Sequence, residues 1–531
     1  MTTGPDLNVI NILLSALPLL ILLASILILK WSAPKAGATA FLAVATIALL
    51  FFGADSKLLA IGSAKGLSLS LFVLSIIWSS VLLYNIVDQM GGIDVIGRTM
   101  TRLVSDPLAQ ALVVGWAFSG FMQGIAGFVV PVAVVAPLMV FMGFTPARAA
   151  AIVLVGHCWA VTFGSLGSSF FTLQLVTGIP GDEIGPHMAA LFAMPTIVTG
   201  FAVAHLQGGT ASLRRSIPLV LAMGGAMSLS MWLLALVGAP QIASLVSGLV
   251  GCGIGWILAR TRLFSGRPQE TVIEVAREID KQGETDRGIS FHVAFLPYYL
   301  VLVFNVISQV PIVKEFGAPF LWGLDYPETS TSLGYMVDAE ENYAKIRLFG
   351  HPAPLLVLSI ILTYVFLTIR GNWKVGAGLS ASRKTYNQCV PTSVGIATMV
   401  MMAVVMTETG MTVLLGRTIA NITQSAFPVF SPYIGVLGTF MTGSNTNSNV
   451  MFGVLQQETA NALGVATVTV ASAQSIGGSL GSAIAPAKVL VGTAIVGLSG
   501  KENEVMRRTI PYCLLIVFLV GIQTWIVIHL F

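Results

Sequence analysis

The chain has 531 residues and a formal net charge of +4, yet it is 55% hydrophobic and only 9% charged, with a mean hydropathy of +0.87. A soluble domain carries about 25% charged residues, so the composition excludes a soluble globular protein and specifies a polytopic membrane protein whose solvent is the lipid bilayer. The small excess of positive charge belongs to the loops and makes no case for nucleic acid as a partner.

Runs of about 20 apolar residues are long enough to cross roughly 30 Å of hydrocarbon as helices. The first, from Val9 to Leu29, has no basic residue before it and is too long for a signal-peptide core, so it is expected to be a retained helix. Spanning helices are predicted at 9–29, 36–54, 67–87, 146–168, 187–205, 216–237, 240–259, 291–310, 352–369, 386–407, 463–484 and 509–529, twelve in all. Two apolar stretches, 107–142 and 427–452, are left over. Glycine or polar residues interrupt each of them, so they read as re-entrant hairpins or broken helices. The segment 311–350, rich in Pro, Tyr, Glu and Asp, is predicted to be an extracytoplasmic loop. The four cysteines, Cys158, Cys252, Cys389 and Cys513, are far apart and form no CxxC pair, which indicates neither a metal nor a disulfide. No Walker loop, GxSxG elbow or HExxH occurs. ATP-driven transport, hydrolysis and any enzyme or cofactor chemistry therefore lack motif support.

A shift of 319 residues (410 − 91) aligns "GGIDVIGRTM" (91–100) with "GMTVLLGRTI" (410–419), and "FMQG" (121–124) with "FMTG" (440–443). With a gap of five, "GSLGS" at 164–168 meets "GSLGS" at 478–482. Three matched blocks in one order indicate a tandem duplication. Basic residues concentrate in cytoplasmic loops, which places 261–290, with Arg262, Arg267, Arg277, Lys281 and Arg287, on the inside. Seven predicted spans then separate the two leftover stretches. An odd number reverses the second copy, so the chain is expected to hold two inverted-topology repeats. The first half is 1–260, with a core at 67–205 and a break near 122–128; the second is 291–531, with a core at 386–529 and a break near 442–449. Both termini are expected outside a plasma (inner) membrane.

Non-helical backbone survives at membrane depth only where protein buries it or where it lines a cavity. "TGSNTNSN" (442–449) puts six hydrogen-bonding side chains, Ser444 to Asn449, beside Gly443 at one break. Free N–H groups at a half-helix start can hold an anion, and carbonyls and hydroxyls can hold a small cation. Gly443, Ser444, Asn445, Thr446, Asn447 and Asn449 are therefore candidate substrate ligands, with helix capping as the alternative. At the first break, "MQGIAGF" (122–128) offers Gln123 and the bare backbone of Gly124 and Gly127, as site or as simple hinge. Ser165 and Ser479, from the paired GSLGS motifs, either line the site or serve close helix packing. Coupling-ion candidates are Asn445 and Thr446, together with the intramembrane ionisable residues His157 and Glu408. His157 is either a titrating group or a structural hydrogen-bond partner, and Glu408, at a helix end, is read equally as facing headgroups. Lys488 is read as an interfacial lysine that snorkels, ahead of a role in attracting a carboxylate.

The blocks "FMQGIAGFVVPVAVVAPLMVFMGFTPARAAAIVL" (121–154), "TETGMTVLLG" (407–416), "TGSNTNSNVMFGVLQQETANALGV" (442–465) and "GLSGKENEVMRRTIPY" (497–512) resemble the lactate permeases, a family within the ion transporter superfamily. The resemblance covers most of the chain in order and length. It implies uptake of L-lactate, D-lactate or glycolate with protons, in a homodimer with an elevator motion. Family members usually carry a glutamate in the first motif and an aspartate in the second. This chain has Gln123 and Asn445 there, and an amide carries no proton at neutral pH. Ser444-Asn445-Thr446 is also similar to the Ser-Asn-Thr signature of the divalent anion/sodium symporters. A sodium-coupled symporter of another small carboxylate or a sulfonate is thus the alternative to a proton-coupled lactate carrier. A membrane-embedded enzyme, a sensor or a channel lacks comparable support.

Overall fold

A computed structural model describes residues 7–101, 104–127, 129–261 and 289–530. Most of the predicted basic loop, 262–288, and Phe128 of the first predicted break lie outside the described residues. Among the described residues, eleven helices are long and apolar enough to cross a bilayer, or twelve when the pair Pro146–Ala160 and Gly164–Thr177, bent by 50°, is one span. The apolar runs become helices because a chain in lipid must satisfy every backbone N–H and C=O internally. Many ends carry recognisable caps: Asp55 accepts from Leu58 N at 2.7 Å to start the helix Ser56–Gln89, and left-handed Gly464 stops Asn445–Leu463.

Several boundaries differ from the sequence reading. Residues 146–168 were expected as one straight span, but the helix Pro146–Gly156 gives way to a 3-10 turn at Cys158–Ala160, and a new helix starts at Gly164. The expected span 187–205 starts in the helix Gly181–Leu191 and continues, with 216–237, into one long element, Ala193–Leu236, which kinks where Gly208 and Gly209 leave helical geometry. The apolar stretch 107–142 holds a 20-residue helix, Pro107–Ala126, wholly buried inside protein, then a break at Gly127 and the helix Val130–Phe141. Burial explains its composition: a helix walled by other helices accommodates Gly115, Ser119, Gly120 and Gln123, which a lipid-facing helix would not. Its middle, Ala111–Phe118, is wound as a π-helix, a form that recurs at functional sites. There Gly156 crosses directly over the Gly115 carbonyl with no room for a Cβ.

The all-α expectation also misses a small β element. Segment 311–350 forms a short helix, Pro311–Gly317, and two antiparallel pairs, Leu321–Tyr326 with Glu340–Arg347 and Thr329–Ser330 with Met336–Val337. Trp322, Leu324, Tyr326, Tyr343 and Ile346 provide the aromatic and branched side chains that favour a pleated surface.

The two halves carry the same order of elements around the breaks. In each, a long helix (Ser56–Gln89, Ala377–Glu408) ends at a left-handed glycine (Gly91, Gly410) and a short helix follows (Gly92–Thr101, Met411–Thr423). Next come a helix ending at a second left-handed glycine (Gly127, Gly443), the helix beyond it, and a further helix pair. The long helices 56–89 and 377–408 pack against each other, and helix 445–463 packs against 164–177, so the two halves interdigitate.

Candidate functional site

Four interruptions break the helices around the candidate site. Gly127 (φ 53°) and Gly443 (φ 73°) are the first two; the turn 482–485, before the helix Pro486–Ile495, is the third. The fourth is the run Ser165 (φ 47°), Leu166 (φ 52°) and Gly167 (φ 78°). Left-handed backbone at a non-glycine residue costs about 1–3 kcal/mol and persists only where its surroundings enforce it. Ser165 and Leu166 are both buried.

A Cβ at Gly127 would overlap Ser165 Oγ, and one at Gly164 would stand 2.8 Å from Gln123 Nε2. The missing side chains thus let the first break, the 164–167 run and Gln123 share one point, where Gln123 Oε1 is buried without a partner. Gly127→Ala adds both left-handed strain and this overlap. It should lower stability by about 1 kcal/mol or more, read as a depressed melting temperature of the purified protein.

The second break is shorter than 442–449. Only Gly443 and Ser444 leave the helix, and Asn445 to Asn449 form the first turns of Asn445–Leu463, with Ser444 capping Asn447 N. The reason is that these amides find partners on other elements. Asn445 Nδ2 donates to Thr162 Oγ1 at 2.9 Å and to the Ser475 carbonyl at 3.2 Å. Asn449 Nδ2 donates to the Ser169 carbonyl and to Ser475 Oγ, both at 2.9 Å. Thr446 and Ser169 hydroxyls are 3.0 Å apart. Because carbonyls only accept, both amides are fixed in orientation, and Asn445 Oδ1 and Asn449 Oδ1 are buried acceptors without partners, as is Asn447 Oδ1. Asn445 Oδ1 and the equally unpartnered Thr439 Oγ1 converge beside Gly478, whose lack of a Cβ leaves room for them. Buried unpaired polar atoms cost about 1–3 kcal/mol each, so this grouping is maintained against a stability cost.

Segment 157–165 joins the two breaks. Ser479 accepts from Thr162 N at 3.3 Å and donates to the Cys158 carbonyl at 2.6 Å, clamping this segment to the helix Thr467–Gly481. His157 lies at its start, wholly buried. Its Nδ1 is 2.7 Å from the Val153 carbonyl and its Nε2 has no partner.

Lys488 is the largest departure from the sequence reading. It does not snorkel: it is 4% exposed on the helix Pro486–Ile495, whose Ala487 abuts Gly443. The ammonium is within electrostatic range of His157 and Cys158, and among the described residues no carboxylate pairs with it. An uncompensated buried cation is costly unless an anion joins it.

The remaining sequence candidates lie elsewhere. Gly124 is a packing glycine, since a Cβ would stand 2.6 Å from Leu245 N on the helix Ala243–Ala259. Glu408 neither faces headgroups nor joins the asparagines. It is buried at the end of helix 377–408, 2.7 Å from Lys65 Nζ. Gly443 and Ser444 stand at the rim of the cluster, half-buried. The two GSLGS motifs, identical in letters, differ in backbone: residues 165–167 are left-handed, whereas Gly478–Gly481 is helical. Sequence reasoning missed Thr162, Ser169, Thr439 and Ser475. Ser475 precedes the second GSLGS by three residues and Ser169 follows the first directly, which is the only local signal they carry.

Comparison with known proteins supplies an independent view. The model of a family described as L-lactate permease matches residues 11–531. The chain is 29% identical to the L-lactate permease of Bacillus subtilis, over 98% of this chain and 97% of that one. It is 27% identical to the L-lactate permease of Salmonella typhimurium, over 96% and 95%. It is 24% identical to the glycolate permease GlcA of Escherichia coli, over 98% and 96%.

Proposed function

The chain belongs to the L-lactate permease family, and from that premise we propose that it takes up a short 2-hydroxy monocarboxylate, lactate or glycolate, by cation-coupled symport. Membership makes it a multi-pass membrane transporter of small hydroxy acids rather than an enzyme. The observation that carries the finer reading is Lys488, a buried cation without a counter-charge beside the break at Gly443. The substrate carboxylate is the missing anion. The N-terminal ends of helices 445–463 and 486–495 add partial positive charge to the proposed site. One buried cation matches one carboxylate, which favours a monocarboxylate over a dicarboxylate.

The coupling ion is a proton in the first reading, as the resemblance to proton-coupled permeases implies. His157, with an unpartnered Nε2 near Lys488, is its candidate carrier. Sodium coupling is favoured by a specific observation: Asn445 Oδ1 and the Thr439 hydroxyl are buried, unpartnered oxygens that converge beside Gly478, and both could serve a small hard cation as ligands. The matching element order of the two halves supports the inverted repeat. One unit would rock or slide against the other to alternate access, in a homodimer of elevator type with both termini outside the plasma membrane. Labelled L-lactate and glycolate uptake into proteoliposomes, with proton and sodium gradients imposed separately, tests this reading. Accumulation driven by the proton gradient is expected. Stimulation by sodium alone transfers the coupling to the acceptor pair, and no accumulation of either acid under any gradient overturns the substrate assignment.

A further inference from the structure

Lys65 is 1% exposed on helix 56–89, in a part of the chain remote from Lys488 in sequence and served by different elements. Its ammonium meets two carboxylates. Glu408 Oε1 is 2.7 Å away and buried, and its Oε2 accepts from Thr329 Oγ1 at 2.5 Å. Glu340, on the strand Glu340–Arg347, is 3.3 Å away with a side chain 40% exposed. Glu408 is therefore held twice and Glu340 once, loosely. The strand that carries Glu340 is irregular: its pairing with Leu321–Tyr326 shifts register between Glu340 and Tyr343, and Asn342 and Ala344 both take left-handed backbone.

These carboxylates line a cavity of about 310 Å³ together with Tyr343, Val404, Val450 and Val454. Burial, with the Glu340 and Glu408 carboxylates beside it, holds the Tyr343 phenol well above its usual range, so it stays a neutral hydroxyl. Val450 and Val454 follow Thr446 at intervals of four, on the same face of helix 445–463, so the cavity begins about 6 Å beyond the Thr446–Ser169 contact. Alongside the cavity Leu173 and Val176 close against Gly453, where a Cβ would stand 3.0 Å from either side chain.

We propose that this cavity is a vestibular binding site for a small monocarboxylate, whose carboxylate takes the place of Glu340 on Lys65. The inference rests on the transport reading above for its ligand class. Glu340 is the protein's own stand-in for that ligand: a singly held carboxylate at the cavity wall, in front of a buried ammonium. Its exchange for a ligand carboxylate leaves the local charge unchanged, and the valines receive a short alkyl group. A dicarboxylate would bring its second charge against Glu408, so the vestibule selects for monoanions before they reach the midplane.

The test compares Glu340→Gln with Glu341→Gln, which removes the same charge from the exposed neighbouring residue. Glu340→Gln is expected to lower the half-saturating L-lactate concentration for uptake by about two- to fivefold, the factor that a part-exposed ion pair contributes, with maximal rate retained. Glu341→Gln should leave it unchanged, and Lys65→Gln in the Glu340→Gln background should erase the gain. No shift in Glu340→Gln, or an equal shift in both single variants, overturns the vestibular site, and this comparison stands whether or not the Lys65 variant folds. Calorimetric titration of the solubilised full chain with L-lactate and propionate reads the same comparison without transport. Absent wild-type uptake, with monocarboxylate binding that tightens in Glu340→Gln, overturns the transport reading alone. Normal uptake with unchanged affinity overturns the vestibule alone.

Discussion

Methionine in place of Lys488 is expected to abolish L-lactate uptake while the purified protein melts at or above the wild-type temperature. The two halves of that result have separate causes. Lys488 is 4% exposed and, among the described residues, has no carboxylate partner, so burial strips water from its side chain and no ion pair offsets the cost. Replacing such a charge with an apolar side chain of similar volume relieves that cost and is often neutral or stabilising by about 1–4 kcal/mol. In the proposed site the same replacement removes the buried cation beside the Gly443 break and leaves the substrate carboxylate unpaired, which transport is expected not to tolerate. A protein that gains stability by losing activity identifies a residue kept for its ligand. Loss of uptake together with a lower melting temperature would instead make Lys488 a structural element.

Alanine at Asn445 is expected to bring uptake to background as well, with the opposite effect on stability. Asn445 Nδ2 ties the start of helix 445–463 to Thr162 Oγ1 and to the Ser475 carbonyl, drawing together the segment between the breaks and the helix 467–481. Its loss removes both buried hydrogen bonds at a cost of about 1–3 kcal/mol and removes the Oδ1 that stands beside Thr439 Oγ1. The variant should still reach the membrane, since helix 445–463 retains its Ser444 cap and its Asn449 contacts. Uptake assays paired with a surface-expression blot check it. Wild-type uptake in both Asn445→Ala and Ser444→Ala would reduce the polar stretch to helix capping.

These expectations draw on features of unequal visibility in the sequence. Lipid-facing helices were the most legible: 352–369 was read at the bounds of the helix Pro352–Ile369, because an apolar run in hydrocarbon has its length fixed by the bilayer. The position of the second break was legible for the complementary reason, since glycine and asparagines in an apolar chain have few other uses. Its extent was not. Asn445 and Asn449 are helical because Thr162 and Ser169, about 280 residues away, receive their amides. No local pattern reports a partner at that distance. The Lys65–Glu408 pair spans 343 residues and was hidden for the same reason. Lys488 shows the limit from the other side: a lone cation between apolar runs fits both snorkelling and burial, and only the packing of 486–495 against 130–141 and 146–156 separates them. The GSLGS pair adds that identical letters can take different backbones, because Ser165 sits over the Cβ-less Gly127 while Ser479 sits within an intact helix.

In the proposed carrier the breaks at Gly127 and Gly443, with Lys488 and Asn445, form one site that exchanges a short monocarboxylate across the membrane. Counterflow measures this without any imposed ion gradient: proteoliposomes preloaded with unlabelled L-lactate are diluted into a trace of the labelled acid. A transient accumulation of label is predicted for the wild-type protein and none for Lys488→Met or Asn445→Ala, whereas counterflow of wild-type size in both variants would contradict the account.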